Sequence, residues 1–422
     1  MVTSRLRPWQ RHPQDREITR LALPALGALV AEPIYLLTDT AVVGHLGTPQ
    51  LGGVAVAGTL LNTLFWMFNF LAYGTTASVA RASGAGQHRE GAHHGVQALW
   101  LASVLGLAVT AAGLVLAPAA VELMGPSAEV GPYALTYLRI SLLGAPAVLV
   151  GLAGVGYLRG VQNTATPLKV AVGANVANLV AEVLCIYGLG MGLAASAWTT
   201  VAAQAGAAVI LASYVTRAAR EAGVAARPDL RTQWALVRVG RDLFVRTGAL
   251  LGALAVASAT AARLGTVELA AHQIAFQLWS FLALVLDALA IAAQAMVGRL
   301  LGAGDAAGAR NASRRMTQLG LAAGFVFAAG VVVLRPVLGP LFSDDPAVVA
   351  QTASVLWLVA ALQPVAAVVF VLDGVLMGAG DMRFLAGAMV GALVVFLPIC
   401  ALVATADLSL VVLWAGIGVL MA

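Results

Sequence analysis

Residues Gly95–Ala117 read GVQALWLASVLGLAVTAAGLVLA, a run without one charged side chain. As a helix rising 1.5 Å per residue, it spans the hydrocarbon core of a bilayer, which takes about 20 residues. Similar runs lie near 18–43, 53–80, 133–158, 168–188, 193–216, 243–263, 268–298, 317–338, 348–377, 384–404 and 408–422. The sequence therefore predicts an all-α membrane protein of twelve spans. Composition points the same way. Of 422 residues, 60% are hydrophobic and 10% charged, against roughly a quarter charged in a soluble chain; the mean hydropathy is +0.91. Forty-five glycines suit helices that pack closely in lipid, where small residues let backbones approach.

The net charge of +5 comes almost wholly from arginine, Lys169 being the one lysine. These arginines sit in short segments between apolar runs, which argues against nucleic acid as a partner. With the N-terminus placed inside, every basic residue except Arg139, Arg263 and Arg335 falls on the inner side. The loop at 217–246 holds Arg217, Arg220, Arg227, Arg231, Arg238, Arg241 and Arg246. The positive-inside rule then gives a multi-pass protein of the inner (cytoplasmic) membrane with a cytoplasmic N-terminus. The first seventeen residues are polar and basic, so the first span is expected to act as its own insertion signal. Cys185 and Cys400 lie inside apolar runs and suggest neither a disulfide nor a metal site.

A shift of 218 residues lays the chain on itself. Leu46-Gly47-Thr48 and Leu51 fall on Leu264-Gly265-Thr266 and Leu269. Arg81 and Gly84-Ala85-Gly86 fall on Arg299 and Gly302-Ala303-Gly304. Pro118 and Pro146 fall on Pro336 and Pro364, and Gly156, Leu158, Gly160 and Asn163 on Gly374, Leu376, Gly378 and Asp381. Six spans per half is an even number, so the halves enter the membrane in the same sense, as two parallel lobes. The expected division is 1–216 for the N-lobe, 217–242 for a cytoplasmic connector and 243–422 for the C-lobe. Because Ala422 pairs with Gln204, well before the end of its helix near Thr216, the last span is expected to be cut short.

Carboxylates at membrane depth are costly and are functional by default. Five stand within the spans: Glu32, Asp39, Glu182, Asp287 and Asp373. The shift places Asp39 on Ala257 and Glu182 on Cys400, so the lobes share a frame but not a chemistry. Glu32 and Asp39 are two turns apart on one face of helix 1, and Asn178 and Glu182 share a face of helix 5, with Asn175 one turn away. Such oxygens can carry a proton, or hold a sodium ion where enough neighbours converge; the structural alternative is an inter-helix hydrogen bond that only holds the bundle. Glu32, Asn175, Asp287 and Asp373 are candidates for a substrate cavity. Pro24 and Pro33 are expected to interrupt helix 1 and supply a hinge.

Other signals are weaker. Gly302-Ala303-Gly304-Asp305 and Gly378-Ala379-Gly380-Asp381 match the GxGD of intramembrane aspartyl proteases, but both sit where a helix ends, as glycine caps do. No phosphate-cradling GxxxxGK[ST] loop occurs. His88, His93 and His94 are expected to be solvated, and His272 to pack near the outer face.

Leu37-Thr38-Asp39-Thr40-Ala41-Val42-Val43-Gly44-His45-Leu46-Gly47 resembles the first-helix signature of MATE (multidrug and toxic compound extrusion) carriers. Glu32-Pro33, Leu278-Trp279-Ser280, Leu286-Asp287-Ala288-Leu289 and Phe370-Val371-Leu372-Asp373-Gly374 look like the DinF-type branch. Tyr157-Leu158-Arg159-Gly160-Val161-Gln162-Asn163-Thr164 is similar to the family's LRG-x-x-D-T stretch, with Asn for Asp. The resemblance implies a rocking two-lobed antiporter, not an enzyme. It would expel bulky, often cationic or amphipathic small molecules, with no cofactor beyond a proton or sodium gradient. It implies that Asp39 is the main coupling site, that Asn178 and Glu182 complete the cluster, with Glu182 in place of the family's Asp, and that Thr200 on helix 6 belongs to it. It implies that Pro24 is the bending proline. Helix 4 lacks the interior asparagine of some relatives. A monomer in the bilayer is expected. A flippase for lipid-linked precursors is the nearest alternative; the spans' lack of arginine, apart from Arg139, speaks against it.

Overall fold

The computed structural model describes residues 14–406 and 408–421. The N-terminal basic residues before Gln14 and the final Ala422, on which the expectations about the N-terminus and the cut-short span bear, lie outside the described residues. Fourteen α-helices follow one another: α1 (Asp15–Gly44), α2 (Thr48–Trp66), α3 (Phe70–Gly84), α4 (His88–Leu123), α5 (Gly131–Leu142), α6 (Ala145–Gly160) and α7 (Ala165–Val183), the last continued by a π-helical turn over Leu184–Gly188. Then come α8 (Leu193–Glu221), α9 (Leu230–Leu264), α10 (Thr266–Gly302), α11 (Ala306–Phe342), α12 (Pro346–Ala379), α13 (Met382–Thr405) and α14 (Leu410–Met421). Ten stretches among the described residues are long and apolar enough to cross a membrane, α2 with α3 counting as one, and α5 with α6 makes an eleventh bent by 50°. The short α14 stands in the place of the twelfth. This is an all-α membrane fold.

The close approaches between helices repeat at the 218-residue shift. A Cβ on Gly156 would meet the Ala72 carbonyl oxygen at 2.5 Å, and one on Gly374 the Ala290 carbonyl oxygen at 2.2 Å. Gly106 lies against the Cα of Pro146 and Gly324 against that of Pro364. Each pair is one helix crossing built twice, at a point that admits no side chain.

Helix ends are also built in duplicate. The Asp381 carboxylate accepts from the Phe384 amide at 3.2 Å and the Asn163 side chain from the Thr166 amide at 3.0 Å. Before them Gly380 and Gln162 take left-handed conformations, φ 78° and 61°, each closing its helix with a bond back to a carbonyl one turn earlier. The Asp305 carboxylate likewise caps α11 through the Gly308 amide at 2.7 Å. Both GxGD aspartates are therefore exposed helix caps.

Three expectations need correction. Pro24 and Pro33 do not interrupt the first helix; both lie inside the continuous α1. A proline withdraws the donor to the carbonyl four residues back, and near Pro24 that carbonyl, of Arg20, is approached by the Thr164 hydroxyl at 3.5 Å. Second, the arginine-rich loop is mostly helix. With α8 ending at Glu221 and α9 beginning at Leu230, Arg231, Arg238, Arg241 and Arg246 lie on α9, because charge alone does not stop a helix that has an apolar face to bury. Third, His93 is bonded rather than merely solvated. It lies 3.3 Å from both Asp229 and Thr232. The Thr232 hydroxyl, the Arg231 amide and His93 together hold the Asp229 carboxyl down at about 2. Buried Gln97 of α4 accepts from the Asp229 amide at 2.7 Å and donates to the Arg227 carbonyl at 2.9 Å. The short connector is thus pinned onto α4.

Candidate functional site

Three helices each bring two polar side chains four residues apart to one place. From α1 come Tyr35 and Asp39, from α7 Asn178 and Glu182, from α8 Ser196 and Thr200. Four residues is just over one turn, so each pair lines one face, and the six form two tiers. In one tier the Ser196 hydroxyl donates to Asp39 Oδ1 at 3.2 Å, and the Glu182 carboxyl lies beside that of Asp39. In the other, the Tyr35 and Thr200 hydroxyls are 2.9 Å apart, and the Asn178 amide reaches Tyr35 at 3.2 Å and Thr200 at 3.5 Å. Tyr137 of α5 closes the cluster beside Ser196 and Thr200. Asp39 is 4% exposed and Glu182 0%. Neither Glu182 oxygen, nor Oδ1 of Asn178, has a hydrogen-bond partner among the described residues.

The bent helices place these groups. The Pro146 ring withdraws the donor to the Leu142 carbonyl, and the Thr110 hydroxyl takes its place at 2.7 Å, next to the bend between α5 and α6. The π-helical turn begins at Leu184, two residues after Glu182, where an extra residue re-aims the chain.

Of the other sequence candidates, Asn175 donates to the Ala31 carbonyl of α1 at 3.1 Å and helps fix α7 against α1. Glu32 shares a heptad face with Asp39 but is exposed and joins no cluster. Ala25, one heptad earlier on that face, packs on Ala288 and Ile291 of α10, so Glu32 stands just past the end of that contact. Asp287 and Asp373 lie elsewhere, in a half-buried group with Tyr73 of α3, Arg159 of α6 and Arg246 of α9. Arg246 is ion-paired with Asp373, and Arg159 is within electrostatic reach of Asp287. Arginine is therefore present between the helices. Arg159 and Arg246 both face aspartates, and the extension of α9 back to Leu230 carries Arg246 out of the loop to which sequence alone assigned it.

Sequence reasoning passed over Tyr35, Ser196 and Tyr137. Tyr35 and Ser196 had a readable signal, each standing four residues before another cluster member. Tyr137 had none, since only the bend brings α5 alongside.

The MatE family model matches residues 24–184 and 250–402, covering both halves. The chain belongs to the MatE family of membrane efflux transporters. It is a transporter and not an enzyme. Protein DETOXIFICATION 44, chloroplastic, from Arabidopsis thaliana is 33% identical over 443 residues, spanning 100% of this carrier and 84% of the relative. DNA damage-inducible protein F of Escherichia coli (strain K12) is 33% identical over 297 residues, 69% of this chain and 64% of that protein. Among solved structures, a MATE protein in the bent conformation superposes with a TM-score of 0.89 at 20% identity, covering 97% of the carrier and 92% of that chain. A MOP superfamily transporter from Pyrococcus furiosus gives 0.87 at 19%, covering 97% and 93%. At that identity the likeness is one of fold.

Proposed function

We propose that the carrier is an antiporter of the inner membrane. It would export small, bulky, cationic or amphipathic compounds by alternating access, in exchange for protons or sodium ions handled at Asp39 and Glu182. The observation that carries this reading is the buried carboxyl pair with unpartnered oxygens. Two adjacent carboxylates cannot both hold an uncompensated charge out of water. A proton, a metal cation or a cationic substrate has to compensate them, and these partners exclude one another, which is the simplest form of exchange. The unpartnered oxygens of Glu182 and Asn178, with the hydroxyls of Tyr35 and Thr200, are hard donors of the kind that also suit sodium. The arginine-rich end of the bundle, where α1 begins, is assigned to the cytoplasm. A flippase reading would call for a free basic lining, and the pairing of Arg246 with Asp373 argues against one.

Purified carrier in proteoliposomes, loaded with a fluorescent organic cation, tests this. Export should accelerate under an imposed proton or sodium gradient, each applied separately, and Asp39→Asn should remove the response. Efflux indifferent to both gradients would overturn the reading.

A further inference from the structure

At the arginine-rich end the halves meet backbone to backbone. A Cβ on Gly84 of α3 would lie 1.9 Å from the Arg299 carbonyl oxygen, and one on Gly302 of α10 would lie 2.1 Å from that of Arg81. Under the 218-residue shift these are the same contact seen from each side, so the seam sits on the local two-fold axis. Above it lie the half-buried Tyr73, Asp287 and Asp373. The α1–α10 apolar contact reaches Leu29, and beyond it Glu32 and Phe281 are both exposed, Phe281 by 60%. The halves touch at this end and part toward the other.

What holds the seam differs on its two sides. On one side the first turn of α1 is bound to the C-terminal half by charge. Arg315 of α11 grips Asp15 with two bonds, 2.7 and 2.8 Å, and Arg299 of α10 donates to Glu17 at 2.6 Å. The Arg315 side chain is 13% exposed, and a two-pronged guanidinium–carboxylate pair out of bulk water is among the stronger side-chain contacts. The mates of these residues are Gln233 for Asp15, Ala235 for Glu17, Gln97 for Arg315 and Arg81 for Arg299. On that side Gln233 donates to Gln97 at 3.2 Å, a neutral contact at the position of the Asp15–Arg315 pair. Among the described residues Arg81 pairs with no carboxylate and lies over Gly380 instead. There α9 is also tied to the N-terminal half through the chain itself, by the connector pinned on Gln97 and His93.

We infer that the seam is an asymmetric inner gate, in which the ion pairs Asp15–Arg315 and Glu17–Arg299 form a releasable latch and the connector-bound α9 side is the hinge. Hydrogen bonds plus a covalent connector keep two elements together through a motion, whereas ion pairs between separate helices are the contacts that part when those helices move. The latch holds the carrier closed on its arginine-rich side. Because α1 carries the latch at one end and Asp39 at the other, occupancy of the cation site and release of the latch act on one helix. The inference rests on the alternating-access reading, but its test does not need transport.

Ala80 is fully buried in the seam, facing Gly298. With Cys185 and Cys400 changed to Ala, Ala80→Cys supplies a single thiol whose reaction with an impermeant maleimide, in inside-out vesicles, reports opening. Asp15→Asn combined with Glu17→Gln should raise the labelling rate several-fold. Exchanging one pair, Asp15→Arg with Arg315→Asp, should bring it back toward the parent rate, which a merely misfolded protein would not do. An unchanged rate in the neutralised variant, or an equally raised rate in the exchanged one, would overturn the latch. Labelling that behaves as expected in a protein without gradient-driven export would keep the latch and sink the antiporter.

Discussion

The two halves hold opposite chemistries at the same address. Carried through the 218-residue shift, Tyr35, Asp39, Tyr137, Asn178, Glu182, Ser196 and Thr200 become Ala253, Ala257, Val355, Phe396, Cys400, Trp414 and Gly418. All of these except Gly418 belong to one continuous buried apolar cluster, in which Phe396 is 0% and Trp414 1% exposed. Where the N-terminal half keeps hydroxyls and carboxyls, the C-terminal half has two large aromatic rings. The helices differ in step. The spans made by α2 with α3, by α5 with α6 and by α7 with its π-helical turn are broken, bent or re-aimed, while their counterparts α10, α12 and α13 run unbroken. Pro146 and Pro364 are equivalent, yet only the first stands next to a break. A proline permits a bend; whether one forms depends on what is packed around it. At this address one half is apolar and built on unbroken helices, and the other holds a polar site in bent ones, which suits a division between a scaffold and a working lobe.

The sharpest way to break this comparison is at Asp39. Asp39→Asn keeps shape and removes charge, so gradient-driven transport should fall by about tenfold or more with membrane insertion unchanged. Full transport by this variant would move attention to Asp287 and Asp373. Glu182→Gln should weaken transport less and flatten its dependence on pH, read in the same vesicles across a pH series, because one carboxyl then titrates without its neighbour.

The reciprocal change is Ala257→Asp. It puts a carboxylate at the mirrored address without partners, and should destabilise the carrier by about 3–5 kcal/mol, measured as loss of folded protein on heating in detergent. It should not restore transport to Asp39→Asn. Trp414→Ala should cost about 3–5 kcal/mol from the cavity it leaves, whereas Ser196→Ala, at the equivalent position, should cost about 1 kcal/mol and act mainly on transport. Equal losses of stability would mean that the two addresses are not energetically distinct. The smallest effect is expected at Gln162, which holds the left-handed conformation that Gly380 holds in the other half. Gln162→Gly should stabilise by about 0.5 kcal/mol, the relief of left-handed strain less the entropy that glycine loses on folding, seen as a small rise in melting temperature.

Much of this was legible in the chain. Runs such as 95–117 show where the helices lie, because a bilayer-spanning helix has to satisfy its own backbone and face lipid. The repeat was legible because glycine is the residue that lets two backbones touch, and the same crossings recur at Gly156 and Gly374. Asn178 and Glu182 were readable as a pair by their spacing on one helix. The grouping of the five carboxylates was not. Glu32 and Asp39 share a face and still part company, since one lies beside α7 and α8 and the other past the end of the α10 contact.

By itself, then, the sequence determined the apolar spans, the glycine helix ends, the doubled frame and the absence of a carboxylate from the C-terminal copy of the site. Those properties are local, or follow from one periodicity. Only the tertiary structure decided that Asp39 meets Glu182 and Ser196, that Arg246 leaves its loop to pair with Asp373, and that Asp15 is held by Arg315. Helical spacing says which residues share a face. Which helix that face meets depends on the packing of segments far apart in the chain, and there the bends in the N-terminal half, which no local pattern specifies, set the outcome.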